Sequence, residues 1–248
     1  INSPFWNRHN RKIKGIQTEM TCVATLQEVR SLSAQEIQDR IVSHLQYDDF
    51  AWQKENDIHI KYKKNSEGLH KVLYQCPHCH SEYEMCTFGT TIKCNHCKKE
   101  WLMTELGELK AKNGETEFSH IPDWYEWERE QVKKQIEEGK YYFESEVHVD
   151  SLPNAKGFIH LGKAKLIHDM NGFLLKGKYK DEEYEVKLDA RYQYSVHIEY
   201  EYLGKYGDCV DLNTPNDTLY VYPECDKFSV TKISLATEEL FKYYNKSR

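Results

Sequence analysis

The hydrophobic positions repeat every three or four residues in three stretches and alternate in a fourth, and these changes of period divide the chain. Ile37, Ile41, Val42 and Leu45 recur at helical spacing behind Ser33 and Glu36, a capping-box pair whose side chains satisfy free backbone N–H groups. This predicts a helix over 34–47 that extends through Phe50 and Trp52. Val72 to Tyr74 read as a strand, and residues 107–118, with Gly107 and Gly114 among polar neighbours, read as turns. A second helix is expected over 122–138. Pro122 fits its first turn, where a missing N–H costs nothing, and Asp123 and Glu126 suit its positive end. Trp124, Val132 and Ile136 give it an apolar stripe, and Gly139 ends it.

From Tyr141 the pattern alternates. Asn171-Gly172 is the strongest hairpin signal in the chain, and a second turn is expected near Asp181, between Phe173–Tyr179 and Tyr184–Leu188. Tyr192, Tyr194, Val196, Ile198, Tyr200 and Tyr202 occupy every second position, which predicts one long half-buried strand. Further strands fit Asp208–Leu212 and Thr218–Tyr222. Val230, Ile233, Thr237, Leu240 and Tyr244 then return to helical spacing over about four turns. The expected fold is α+β: an N-terminal helical segment (1–69), a four-cysteine zinc ribbon (70–106), a loop and connecting helix (107–139), and a pleckstrin-homology-like antiparallel β-barrel closed by a C-terminal helix (140–248). On this division, metal removal unfolds the ribbon and leaves the barrel standing.

Composition narrows the class. With 248 residues, 39% hydrophobic and 30% charged, the chain is globular and long enough for more than one core. No apolar run approaches the roughly 20 residues that cross a bilayer. The net charge of -6 argues against an extended phosphate-binding surface. Phe5, Trp6, Arg8, Arg11, Lys12 and Lys14 mix aromatic and basic residues near the start, a pattern for a membrane surface or for packing onto another domain, with an exposed terminus as the plainer expectation.

Four of eight cysteines carry the candidate chemistry. Cys76-Pro77-His78-Cys79 and Cys94-Asn95-His96-Cys97 form two Cys-x2-Cys turns separated by a hairpin-sized segment with its tip near Phe88-Gly89. Two such turns place four thiolates around one ion, and a filled tetrahedron leaves no position for a catalytic water, so Zn2+ here is structural. Tyr74, Tyr83 and Trp101 are expected to cover the small core. His78, His80 and His96 are read as surface residues, and Cys22, Cys86, Cys209 and Cys225 as small buried hydrophobes. Reduced thiols of this kind imply a reducing, cytoplasmic setting, peripheral to the inner membrane face if any membrane is touched. Lys156, Lys163 and Lys165 are candidate contacts for an anion or lipid head group. Lys71, Lys93, Lys98 and Lys99 with Trp101 form a small basic and aromatic face, which carries the alternative of a nucleic-acid-binding ribbon. His44 and Asp49 satisfy the His-x4-Asp spacing of glycerolipid acyltransferases, yet no phosphate-binding segment follows, and they read as solvated helix residues.

Four stretches also resemble one family. They are Tyr47-Asp48-Asp49-Phe50-Ala51-Trp52-Gln53-Lys54-Glu55, the cysteine segment, the run from Gly114 through Trp124 to Glu128, and Ala236-Thr237-Glu238-Glu239-Leu240. Together they resemble the region that follows the catalytic domain in bacterial 1-acyl-sn-glycerol-3-phosphate acyltransferases. The resemblance implies a C-terminal accessory region of a lipid-synthesis enzyme, and a start at Ile1 rather than Met fits such a portion. The catalytic motifs have no counterpart, so the resemblance implies no activity for these residues. The leading expectation is a non-catalytic module that docks an upstream acyltransferase domain or a protein or lipid partner. An acyltransferase with an unrecognised site is the remaining alternative.

Overall fold

A computed structural model describes Trp6 and residues 18–153, 157–202 and 206–246. Phe5, Arg8, Arg11, Lys12, Lys14 and the candidate anion contact Lys156 lie outside the described residues.

Two capping boxes, Thr25 with Glu28 and Ser33 with Glu36, start α1 (Leu26–Ser31) and α2 (Ala34–Leu45). The helix expected to continue through Phe50 instead stops at Leu45 and restarts. Asp48 accepts hydrogen bonds from the N–H groups of Phe50 and Ala51, both at 2.9 Å, and so caps a separate α3 (Asp49–Glu55). Neither α1 nor α2 buries a residue, and Arg40 joins them by pairing with Glu28 at 3.0 Å. This arm exposes Leu26, Val29, Val42 and Leu45.

A four-stranded antiparallel sheet follows in simple order: β1 (Met85–Phe88), β2 (Thr91–Cys94), β3 (Glu100–Met103) and β4 (Leu109–Ala111). Gly89 at the expected tip has φ +59. Two expectations fail here. Val72 to Tyr74 are not a strand but the buried continuation of a 3-10 turn at Leu69–Lys71. Residues 109–111, read as loop for their polar neighbours, pair with β3, and the Thr116 hydroxyl accepts from the Ala111 N–H at 2.9 Å. α4 (Ile121–Glu137) lies one residue from its expected bounds.

The second sheet holds β5 (Tyr142–Ser151), β6 (Ile159–Asp169), β7 (Gly172–Tyr179), β8 (Glu182–Asp189), β9 (His197–Glu199), β10 (Cys209–Asn213) and β11 (Thr218–Pro223) in the order β8-β7-β6-β5-β11-β10-β9. Two meanders meet where β5 pairs with β11, and α5 (Val230–Asn245) packs against α4. The sheet is open, with β8 and β9 at its ends; the two do not pair to close a barrel. The alternating tyrosines do not form one strand. Only His197–Glu199 pair with β10, while Tyr192 and Tyr194 are 73% and 72% exposed. The cause is local: Asp189 turns the chain by accepting from the N–H groups of Arg191, Tyr192 and Gln193.

Both hairpins form, by different means. Lys180 and Asp181 have φ +48 and +70, as a two-residue hairpin turn of mirror type demands. In the other, Met170 and Asn171 make the turn with ordinary φ, and Gly172 is the first strand residue, paired with Asp169. Its φ is +103, and a Cβ there would stand 2.1 Å from the Leu188 carbonyl oxygen. Close backbone approach, rather than the turn, therefore requires the glycine.

One continuous hydrophobic core runs from Leu69, Ile92, Trp101 and Trp124 through Val147, Leu166 and Val210 to Ile233. A second lies between α4 and α5, around Val132, Ile136, Leu235 and Leu240. Hydrogen bonds follow the same path. Thr231 in α5 donates to the Lys71 carbonyl at 2.7 Å, and the Lys71 ammonium reaches Asp208 at 2.7 Å. His168 sits buried beside Tyr141 at 2.9 Å, with its ring stacked on Phe173 at 3.8 Å.

Gly172→Ala is expected to cost more than about 2 kcal/mol in equilibrium denaturation, since both the φ and the Leu188 clash must be relieved; a loss below about 0.5 kcal/mol contradicts the β7–β8 register. Burial brings His168 down to about 3 from its ordinary 6.5. The unfolded chain therefore binds the extra proton, and stability is lost as pH falls from about 6.5 toward 3. Replacing His168 with Gln should remove roughly 3 kcal/mol of that loss between pH 6.5 and 4, read from urea unfolding at each pH; an unchanged acid limb would mean that His168 is protonated in the fold.

Candidate metal centre

Each Cys-x2-Cys turn is built the same way. The carbonyl of its first cysteine accepts from the residue after its second, His80 to Cys76 and Lys98 to Cys94, both at 2.9 Å. His80 and Lys98 take φ +61 and +65, which turns the chain sharply enough for both thiols to face inward. The cysteines then receive the strand that leaves the turn: the Cys76 N–H donates to Ser81 and the Cys94 N–H to Lys99.

Pairing of β1 with β2 brings the two turns together. Cys76 Sγ lies 3.8 Å from Cys97 Sγ, and Cys79 Sγ lies 3.7 Å from Cys94 Sγ. All four sulfurs fall within 4.8 Å of one another, and the thiols are free rather than bonded as disulfides. A metal–sulfur bond of about 2.3 Å gives a tetrahedron with edges of about 3.8 Å, so the donor set fits a metal ion. Among the described residues this is the one such cluster. Cys76 and Cys94 are buried and Cys79 and Cys97 partly so. Burial pushes the Cys76 and Cys97 thiols up. At Cys79 burial acts the same way, but hydrogen bonds from Ser81 outweigh it and bring the thiol down to about 5. Four thiols at these separations do not ionise together unless a cation neutralises them.

Two carboxylates outside the ribbon grip the turns. Glu117, in the loop before α4, accepts from Lys99, from Trp101 Nε1 at 3.1 Å and pairs with His78 Nδ1 at 3.0 Å. Burial would raise its carboxyl, yet the Lys99, backbone and Trp101 bonds outweigh that and lower it. Glu128 in α4 is fully buried and accepts from the Gln75 N–H at 2.7 Å, while Trp124 Nε1 donates to the Gln75 carbonyl at 2.9 Å. Burial holds the Glu128 carboxyl far above its ordinary range, against the pull of the Gln75 and Tyr74 N–H groups. Trp101 is buried edge-on to Trp124 at 5.1 Å.

The remaining candidates do not assemble. His78, His80 and His96 are exposed and outside the cluster. Of Cys22, Cys86, Cys209 and Cys225, only Cys209 is buried; Cys22 is exposed, and the other two are partly so. Lys163 pairs with Glu224 at 3.3 Å and Lys165 with Glu144 at 2.6 Å. Lys71 and Lys93 are held by acidic partners in the same way, and Trp101 offers no exposed ring for a base. His44 Nδ1 lies on the Arg40 carbonyl of its own helix, and Asp49 belongs to the first turn of α3. Glu128 carries a sequence signal of its own: it stands four residues from both Trp124 and Val132, inside the apolar stripe of α4.

No family model, curated protein or solved structure matches the chain.

Because ribbon and sheet share a core, chelation or Cys94→Ser is expected to lower the melting temperature of the whole chain by more than about 10 °C. A circular-dichroism melt in which the strand signal disappears at an unchanged temperature contradicts the shared core.

Proposed function

We propose that this chain is a non-catalytic binding and scaffolding module in which one structural zinc ion organises the ribbon. The observation that carries the reading is the closed cage: four sulfur donors at tetrahedral spacing use every coordination position. Zinc is the favoured occupant of a four-thiolate cage in a reducing setting without a redox partner, and it would supply folding energy and no bond chemistry. The two meanders joined through β5 and β11, with α5 packed behind them, support a pleckstrin-homology-like reading of the second sheet. A protein rather than a lipid surface is the partner. Lys163 and Lys165 are already neutralised, and the exposed α1–α2 arm carries two arginines against Glu28, Glu36 and Asp39, an unfavourable balance for anionic lipid. The resemblance of its four segments supports a narrower reading, in which that partner is an acyltransferase domain.

The purified chain, given acyl-CoA and lysophosphatidic acid, should show no acyl transfer and should not sediment with vesicles containing phosphatidic acid. Turnover abolished by His44→Ala would overturn the non-catalytic reading, and salt-sensitive vesicle binding would overturn the choice of a protein partner.

A further inference from the structure

We infer that Glu117 and Glu128 are positioning residues for the metal, setting how tightly the ribbon holds it although neither touches a sulfur. The inference rests on the reading of the four cysteines as a metal cage and adds what fixes that cage in shape.

The two knuckles are short turns fixed internally by their own backbone bonds and set side by side by β1–β2 pairing and by the Asn95 N–H, which donates to the Glu84 carbonyl at 2.7 Å. Glu117 adds a side-chain tie between them. It holds His78, which lies between Cys76 and Cys79, and Lys99, two residues beyond Cys97, so one carboxylate ties both knuckles at once. Its third bond, to Trp101 Nε1, anchors it to the buried ring of β3. Glu128 acts at the entry to the first knuckle. Its carboxyl takes the N–H of Gln75, the residue before Cys76, while Trp124 one helical turn earlier takes the Gln75 carbonyl. Both sides of that residue are thus clamped by α4. Buried Trp101 and Trp124 pack against each other between the two clamps, which makes them one rigid frame.

Outer partners of this kind orient the ligands, and their loss weakens metal binding by about 10- to 100-fold. A role in folding alone would lower stability without singling out the metal. The two are separated by comparing Glu117 and Glu128 with Ile136, a buried residue of α4 that faces α5 and has no bond to either knuckle.

The test uses the full chain loaded with Co2+, whose thiolate charge-transfer band reports the intact cage, and follows release to a chelator in excess. Glu128→Leu and Glu117→Ala are expected to release the ion at least about ten times faster than wild type. Glu128→Gln, which keeps an acceptor oxygen for the Gln75 N–H, should restore a rate within about three-fold of wild type. Ile136→Ala should lower the melting temperature and leave the release rate unchanged. Release from Glu128→Leu and Glu117→Ala at the wild-type rate overturns the inference, as does equal acceleration by Ile136→Ala. If Glu128→Leu fails to fold, Glu128→Ala takes its place and is judged against Ile136→Ala in the same way, alongside Glu117→Ala. A wild-type chain that never develops the charge-transfer band refutes the metal cage instead, a different result from unaltered release.

Discussion

Four sulfur atoms within 4.8 Å of one another repel as soon as they ionise, and a cation at their centre removes that repulsion. Much of the molecule is arranged around that constraint. The chain entering the first knuckle, residues 69–75, is also the floor against which α4 and α5 are laid: Glu128 and Trp124 grip Gln75, and Thr231 reaches the Lys71 carbonyl. The Lys71 ammonium, partly buried, extends the same segment to Asp208 beside β10. A ribbon that would be too small to hold its own core instead shares one with a seven-stranded sheet.

Elements governed by local chemistry were legible in the sequence. Capping at Ser33, Pro122 at the start of α4, the turn at Asp181 and the stripe of α5 all depend on residues within a few positions of one another. Where tertiary pairing or a competing turn decided the outcome, the reading failed. β4 exists because β3 offers it a partner, not because Leu109–Ala111 favour a strand. The alternating set carries a strand's period but loses Tyr192, Tyr194 and Val196 to the turn that Asp189 caps and the segment after it, and Tyr200 and Tyr202 fall beyond the end of β9. Asn171-Gly172 did mark a hairpin, although the glycine serves the crowding between β7 and β8 and the turn falls one residue earlier.

The site divided along the same line. Spacing alone picked out Cys76, Cys79, Cys94 and Cys97, because a Cys-x2-Cys turn is complete within five residues. Glu117 and Glu128 lie outside that window. Their contacts cross 16 to 53 residues, so only the folded chain brings them to the knuckles. An acid in the apolar stripe of α4 was nevertheless visible as a local contradiction. Such contradictions mark groups whose partners lie elsewhere in the chain.

The pairing of β5 with β11 has a consequence for how the chain leaves the ribosome. β5 can join β6 as soon as that strand emerges, but its other neighbour is made roughly 70 residues later, about 4 to 14 s at ordinary rates of synthesis. Through that interval a ten-residue strand in the middle of the future sheet has one bare edge, and its apolar face awaits β10, β11 and α5. The strands of the ribbon and α4 have all been made by then, but the core that the ribbon shares with the sheet has not, and α5 completes it by closing back onto the floor at Lys71.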